Sequence, residues 1–114
     1  MQTVLVVDDD EMFRAIMRRN LEKLGYLVAE NNSGVGVLKQ IQELNPIACL
    51  LDIVMDNKEG LETIGELNTL LTRPKIIAVS SNSFYLECAV DLGADAQLKK
   101  PITPEALSAV LADI

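Results

Sequence analysis

Histidine is absent from this 114-residue chain, and its two cysteines, Cys49 and Cys88, stand far apart in no metal-ligand spacing. Any metal site must then be built from oxygen donors, and both cysteines read as reduced residues that fill the interior. Basic residues are in the minority: 10 Lys and Arg stand against 17 Asp and Glu, a formal net charge of −7. Without a basic patch, direct binding to nucleic acid is not expected. No apolar run approaches the roughly 20 residues of a membrane-spanning helix, and no signal peptide is recognisable, so a soluble cytoplasmic protein with no membrane partner is expected. Internal repeats, linkers and low-complexity stretches are also lacking. What is present is 49% apolar content, enough to fill one core in a single domain of this length.

The apolar residues are arranged in two alternating patterns. Residues 3–7 form a short β-branched run that suits a central strand covered on both faces. From Glu11 the period becomes helical, with Phe13, Ile16, Met17, Leu21 and Leu24 on one side and Arg14, Arg18, Arg19 and Glu22 on the other. Asp10 is placed to cap this helix and Gly25 to end it. Further strands are expected at residues 26–29, 47–51, 76–79 and 96–98. Between them, helices are marked by Val35, Leu38, Ile41 and Leu44, by Leu61, Ile64, Leu67 and Leu71, and by Phe84, Leu86, Val90 and Leu92. Ser33 is a candidate cap for the second helix, and Asn45-Pro46 breaks it. Thr103 caps a last helix with Pro104 at its first position and Leu107, Val110, Leu111 and Ile114 as its apolar residues. Five β-α repeats of this length require parallel strands with right-handed crossovers, hence a doubly wound five-stranded α/β domain with helices on both sheet faces.

In such sheets ligands bind beyond the carboxyl ends of the strands. There the first strand runs into Asp8-Asp9-Asp10, the third into Asp52, the fourth into Ser80-Ser81 and the fifth into Lys99-Lys100-Pro101. An ionised Asp at the mouth of a buried strand is unfavourable unless cations or donors meet it. Asp8, Asp9 and Asp52 together select a hard ion, and Mg²⁺ suits them because it needs few carboxylates and keeps waters that a phosphoryl oxygen can replace. Lys100 adds a point charge that can pair with Asp52, and Ser80 adds a hydroxyl. A carboxylate nucleophile, a metal and a lysine are the parts that phosphoryl transfer to Asp requires.

Taken singly, each feature is ordinary. An acidic run commonly starts a helix, Lys-Pro commonly turns the chain, and Ser-Ser after a strand is commoner still. Their succession in this order is not ordinary, and it resembles the receiver domain of two-component response regulators from about Thr3 onward. The matching stretches are Val6-Val7-Asp8-Asp9-Asp10, Leu50-Leu51-Asp52-Ile53-Val54-Met55, Ala78-Val79-Ser80-Ser81, and Gly93-Ala94-Asp95 followed by Lys100-Pro101. The resemblance implies a flavodoxin-like fold of strand order 2-1-3-4-5, the order that is standard for chemotaxis receivers. It also implies Asp52 as phosphoacceptor, Asp9 as a direct Mg²⁺ ligand and Asp8 as a helper through water. The Val54 carbonyl would be a further ligand, Ser80 the switch hydroxyl, Lys100 the contact to the phosphoryl group, and the Lys100-Pro101 bond cis. A histidine kinase or phosphotransfer protein would be the donor, and a downstream effector or fused output domain the reader, with room for a homodimer. The domain would catalyse its own phosphorylation and dephosphorylation without being an enzyme toward other substrates.

Three departures from the family pattern stand out. Asp56 takes the place of the usual Pro after Met55 and opens the acidic loop Asp56-Asn57-Lys58-Glu59-Gly60, expected to be more mobile. Gln97 stands where an aromatic residue usually reports phosphorylation, with Phe84 and Tyr85 nearby in sequence. Only a short segment follows Lys100, so the chain reads as a single receiver domain over residues 1–114, free-standing or cut from a longer protein. Two rival readings are a haloacid-dehalogenase-like phosphatase fragment with Asp8 as nucleophile, and a non-switching interaction module of the same fold.

Overall fold

The β-branched run at the start of the chain is buried because it becomes an inner strand of a five-stranded parallel sheet. In the computed structural model, which describes residues 1–55 and 60–114, the chain alternates strand and helix throughout. The strands are β1 (Thr3–Val7), β2 (Leu27–Asn31), β3 (Ala48–Asp52), β4 (Lys75–Ser80) and β5 (Ala96–Lys99); the helices are α1 (Glu11–Lys23), α2 (Val37–Leu44), α3 (Gly60–Leu67), α4 (Ser83–Asp91) and α5 (Pro104–Ala112). Spatial order is β2-β1-β3-β4-β5, as the resemblance implies.

Alternation along the strands divides the core in two. Leu5 and Val7 of β1 and Cys49 and Leu51 of β3 pack with Val37 and Ile41 of α2, Ile64 and Leu67 of α3, and Leu86 and Ala89 of α4. Val4, Val6, Ala48 and Leu50 point the other way, onto Met17 and Leu21 of α1 and Leu107 and Leu111 of α5. Register is in step across the centre, with Val7 opposite Leu51 and Leu51 opposite Ala78. The carboxyl ends of β1, β3 and β4 therefore finish at one edge of the sheet.

Local capping follows the expected chemistry at several ends. Asp10 accepts the Met12 and Phe13 amides, Thr103 accepts the Ala106 amide, and Asn45 closes α2 in the left-handed region at φ 48°. Other ends differ. Ser33 does not cap α2: its Oγ accepts the Val35 amide at 3.2 Å, and the helix begins only after Gly36, left-handed at φ 75°. The inward face is consequently Val37 and Ile41, and Val35 is exposed. The second strand lies one to two residues later than the pattern suggests and is half exposed, since it is the sheet edge. Helix α3 stops at Leu67, which leaves Leu71 in solvent, and α4, capped by Asn82, turns Phe84, Val90 and Leu92 outward. Cys49 is fully buried, and burial pushes its thiol up to about 12, whereas Cys88 is only partly covered. Apart from Gly60, the expected loop at 56–60 lies outside the described residues.

Asp95 locks the turn into β5. It accepts the Ile76 amide and the Arg73 guanidinium, each at 2.8 Å. Burial would raise its carboxyl, but the bonds from Arg73 and Ile76 outweigh this and hold it below the usual carboxylate range. Asp95→Ala would leave the amide of buried Ile76 without an acceptor. The expected destabilisation is about 2 kcal/mol in urea unfolding, with a smaller loss for Asp95→Asn, which keeps the acceptor oxygen.

Candidate functional site

Four strand ends deliver the functional side chains to one cleft. Asp8 follows β1 directly, its amide still in the ladder to the Asn31 carbonyl at 3.0 Å. Its side chain is fully buried, and both oxygens are engaged: Oδ1 accepts the Asp10 amide and Oδ2 accepts Lys100 Nζ, each at 2.8 Å. Arg14 Nη1 donates to the Asp8 carbonyl at 2.8 Å and is itself held by Glu30 at 3.0 Å, a brace across α1 and β2. Asp9 is exposed beside it. Asp52 ends β3 with 5% of its surface accessible, and Oδ1 accepts the Val54 amide at 3.0 Å. Ser80 ends β4, buried, with Oγ accepting the Asn82 amide at 3.0 Å. Lys100 follows β5, its amide donating to the Ser80 carbonyl at 2.9 Å, and the Lys100-Pro101 peptide is cis.

The cleft between these groups has a volume of about 440 Å³ and is bordered by Asp9, Asp52, Val54, Ser80, Tyr85 and Lys100, among others. A larger cavity of about 550 Å³ opens near Thr3, Pro46 and Lys75, but among the described residues no acidic side chain lines it. Charge density, not volume, distinguishes the site. Carboxylate oxygens of Asp8, Asp9 and Asp52 all lie within 4.8 Å of one another. Among the described residues one ammonium stands against these three carboxylates, so two of their negative charges are left uncompensated. A divalent ion with a preference for oxygen ligands fits that donor set and that balance, as Mg²⁺ does.

Lys100 does not pair chiefly with Asp52. Its hydrogen bond goes to Asp8, and Asp52 Oδ2 lies at the longer ion-pair distance of 3.7 Å. The physical reason is burial: Asp8 has no contact with solvent, so its charge gains most from a cation. Asp52 is correspondingly under-compensated. Burial, with the Asp8 and Asp9 charges added, outweighs the Val54 amide and Lys100 and raises its carboxyl to about 6. For Lys100 burial acts to lower the ammonium, but Asp8 and Asp52 prevail and raise it. At neutral pH the cleft therefore presents a largely ionised carboxylate beside a charged lysine.

Several contributors were not legible in sequence. Phe13, expected as core, carries Lys100 Nζ 4.3 Å above its ring centroid. Tyr85 borders the cleft, whereas Gln97 on β5 is exposed. Gly60, expected only to end a loop, stands where a Cβ would come within 2.5 Å of the Asp52 carbonyl oxygen and the Ile53 Cα. Both are backbone atoms that cannot rotate aside. Gly60→Ala is expected to lower stability by about 1–3 kcal/mol, read as a lowered melting temperature.

The haloacid-dehalogenase-like alternative required Asp8 as nucleophile. With no solvent exposure and both oxygens bonded, Asp8 cannot meet a substrate, whereas Asp52 opens into the cleft.

Comparison with known proteins agrees with this geometry. A family-wide sequence model described as "Response regulator receiver domain" matches residues 4–112. "Response regulator MprA" of Mycobacterium ulcerans (strain Agy99) is 35% identical over 108 residues, covering 93% of this chain and 47% of that protein. "Transcriptional regulatory protein KdpE" of Mycobacterium tuberculosis (strain ATCC 25618 / H37Rv) is 33% identical over 102 residues, covering 89% and 45%. The chain thus spans about half the length of the curated relatives it matches. Among solved structures, a signal receiver domain from Bermanella marisrubri superposes with a TM-score of 0.90 at 32% identity, over 97% of this chain and 95% of that one. A CheY-like receiver domain from Methylobacillus flagellatus gives 0.89 at 27% identity, over 99% and 98%.

Proposed function

Since the chain belongs to the response regulator receiver domain family, we propose that Asp52 is its phosphoacceptor and that the domain is a phosphorylation-dependent switch in a two-component phosphorelay. The observation that carries this reading is the position of Asp52: nearly buried, ionised at neutral pH, open to the cleft, and within reach of two further carboxylates and the Lys100 ammonium. A histidine kinase or phosphotransfer protein presents a phosphohistidine. An Asp52 oxygen attacks phosphorus, the P–N bond breaks, and the imidazole leaves with a proton from solvent.

Asp9, Asp52 and the Val54 carbonyl would hold Mg²⁺, with Asp8 assisting through water. When bound, the ion supplies charge neutralisation for phosphoryl oxygens. Lys100 contributes a point charge toward the same oxygens, and Ser80 turns its hydroxyl to donate to them. Both movements start from observed contacts: Lys100 leaves Asp8, and Ser80 gives up the Asn82 amide at the α4 cap. The switch is a population shift, for which a few kcal/mol of differential stabilisation suffices. Hydrolysis of the acyl phosphate resets it. A fused output domain or a separate effector in the cytoplasm reads the altered face, and a second copy of the chain is one such reader.

Incubating the protein with Mg²⁺ and a small phosphodonor is expected to add one phosphoryl group by intact mass. The adduct should be labile to hydroxylamine, as an acyl phosphate is and a serine phosphate is not. An unchanged mass, with Mg²⁺ shown by titration to bind, would instead favour a module that keeps the fold without switching.

A further inference from the structure

Lys100 is the wall between two cavities of unlike character. On one side lies the acidic cleft; on the other is a groove of about 360 Å³ bordered by Phe13, Ile16, Met17, Pro101 and Ile102, and among the described residues only Ser81 and Lys100 border both. A lysine stem is long and rotatable, and its ammonium needs a fixed position to act on a developing charge. Asp8 holds it from the cleft side at 2.8 Å. Toward the groove the face of the Phe13 ring meets it, 4.3 Å from centroid to Nζ.

Phe13 is itself held. Its amide donates to Asp10 Oδ1 at 3.3 Å, and its ring packs on the core layer that contains Met17 and Leu107. An aliphatic side chain there could fill the space, but it has no quadrupole to attract a cation.

We propose that Phe13 is a positioning residue for Lys100: its ring face holds the ammonium at the margin of the acidic cleft and closes the groove side against it. The geometric part stands on the contact alone; its effect on phosphorylation rests on the reading of Asp52 as phosphoacceptor. The ring acts when Lys100 lets go of Asp8, because it then holds the ammonium from the groove side while Asp52, at 3.7 Å, draws it from the cleft side.

Two measurements test this. In NMR of the protein without phosphodonor, the Lys100 ε-methylene protons are expected upfield, shifted by the ring current. The shift should persist in Phe13→Tyr and in Asp52→Asn and vanish in Phe13→Leu. In phosphorylation by a small phosphodonor at saturating Mg²⁺, Phe13→Leu is expected to react about tenfold more slowly, and Phe13→Tyr within about twofold of the unsubstituted rate. Melting curves identify any variant that has lost its fold, and the shift in the unsubstituted protein needs no variant. Unshifted ε-methylene protons, or a folded Phe13→Leu protein as fast as the unsubstituted one, overturn the proposal, as does a Phe13→Tyr protein as slow as Phe13→Leu. If the unsubstituted protein takes up no phosphoryl group while the upfield shift is present, it is the phosphoacceptor reading that fails and the positioning contact that stands.

Discussion

Asp52→Asn is expected to take up no phosphoryl group and, at the same time, to melt at a higher temperature than the unsubstituted protein. The first effect follows from removing the only group among the described residues that combines a free carboxylate oxygen with access to the cleft and proximity to Lys100. The second follows from what that carboxylate endures in the resting fold. Burial and the neighbouring Asp8 and Asp9 charges raise its carboxyl to about 6, so its ionised form is disfavoured relative to an unfolded chain. An unfolded Asp titrates near 4, and the difference corresponds to about 3 kcal/mol, or a gain on the order of 10 °C in a domain of this size. Asn keeps an acceptor for the Val54 amide and removes the repulsion.

The pH dependence has a definite sign. Between about 4 and 6 the native state binds more protons than the unfolded state, so stability falls as pH rises through that window. Glu30 and Asp95, both lowered, act from the lower edge of that window downward and in the opposite sense, their contribution to stability being lost as pH falls. The advantage of Asp52→Asn should therefore be complete above about pH 6 and vanish below about pH 4. Thermal melts of the two metal-free proteins across that range check it. An advantage that does not change with pH would mean that the burdened carboxylate is not the cause.

Lys100→Met is expected to do the reverse to stability. It leaves Asp8, fully buried, with the Asp10 amide as the remaining hydrogen-bond partner of its side chain among the described residues. Breaking a buried pair from one side destabilises by about 3 kcal/mol, the lower end of the usual range being apt because the lysine is partly exposed. Mg²⁺ should restore more stability to this variant than to the unsubstituted protein, since the carboxylate cluster no longer has a competing ammonium. Phosphorylation should nonetheless remain about a hundredfold slow, because the fixed charge near the developing one is missing. Melts with and without Mg²⁺, beside a rate measurement, separate these effects. An unchanged melting temperature would show that Asp8 does not depend on the lysine.

How far the pattern could be followed depended on how local the physics was. The strand ends carrying Asp8, Asp52, Ser80 and Lys100 were readable because each is an apolar run that stops at a polar residue. Caps at Asp10 and Thr103 were readable for the same reason, since a side chain bonding an amide two or three residues on is a local event. The faces of α2 and α4 were not. Val35 and Val90 fit the helical period, yet where each helix starts decides which apolar residues turn inward, and those starts depend on Gly36 and Asn82. Edge and centre strands also look alike in sequence, although β2 is half exposed and β1 buried.

By itself the order of residues determined the chemistry available: oxygen ligands without imidazole, an acidic balance, a hydroxyl and a lysine, each at the end of a strand in a β-α repeat. Those properties are additive along the chain and need no knowledge of neighbours. Only the tertiary structure decided that Lys100 bonds Asp8 in preference to Asp52, that Phe13 faces the ammonium and that Gly60 leaves room for the Asp52 backbone. The first two are contacts between segments distant in sequence and the third closes a short loop, and all are governed by burial and by angstrom-scale distances that no spacing along the chain encodes.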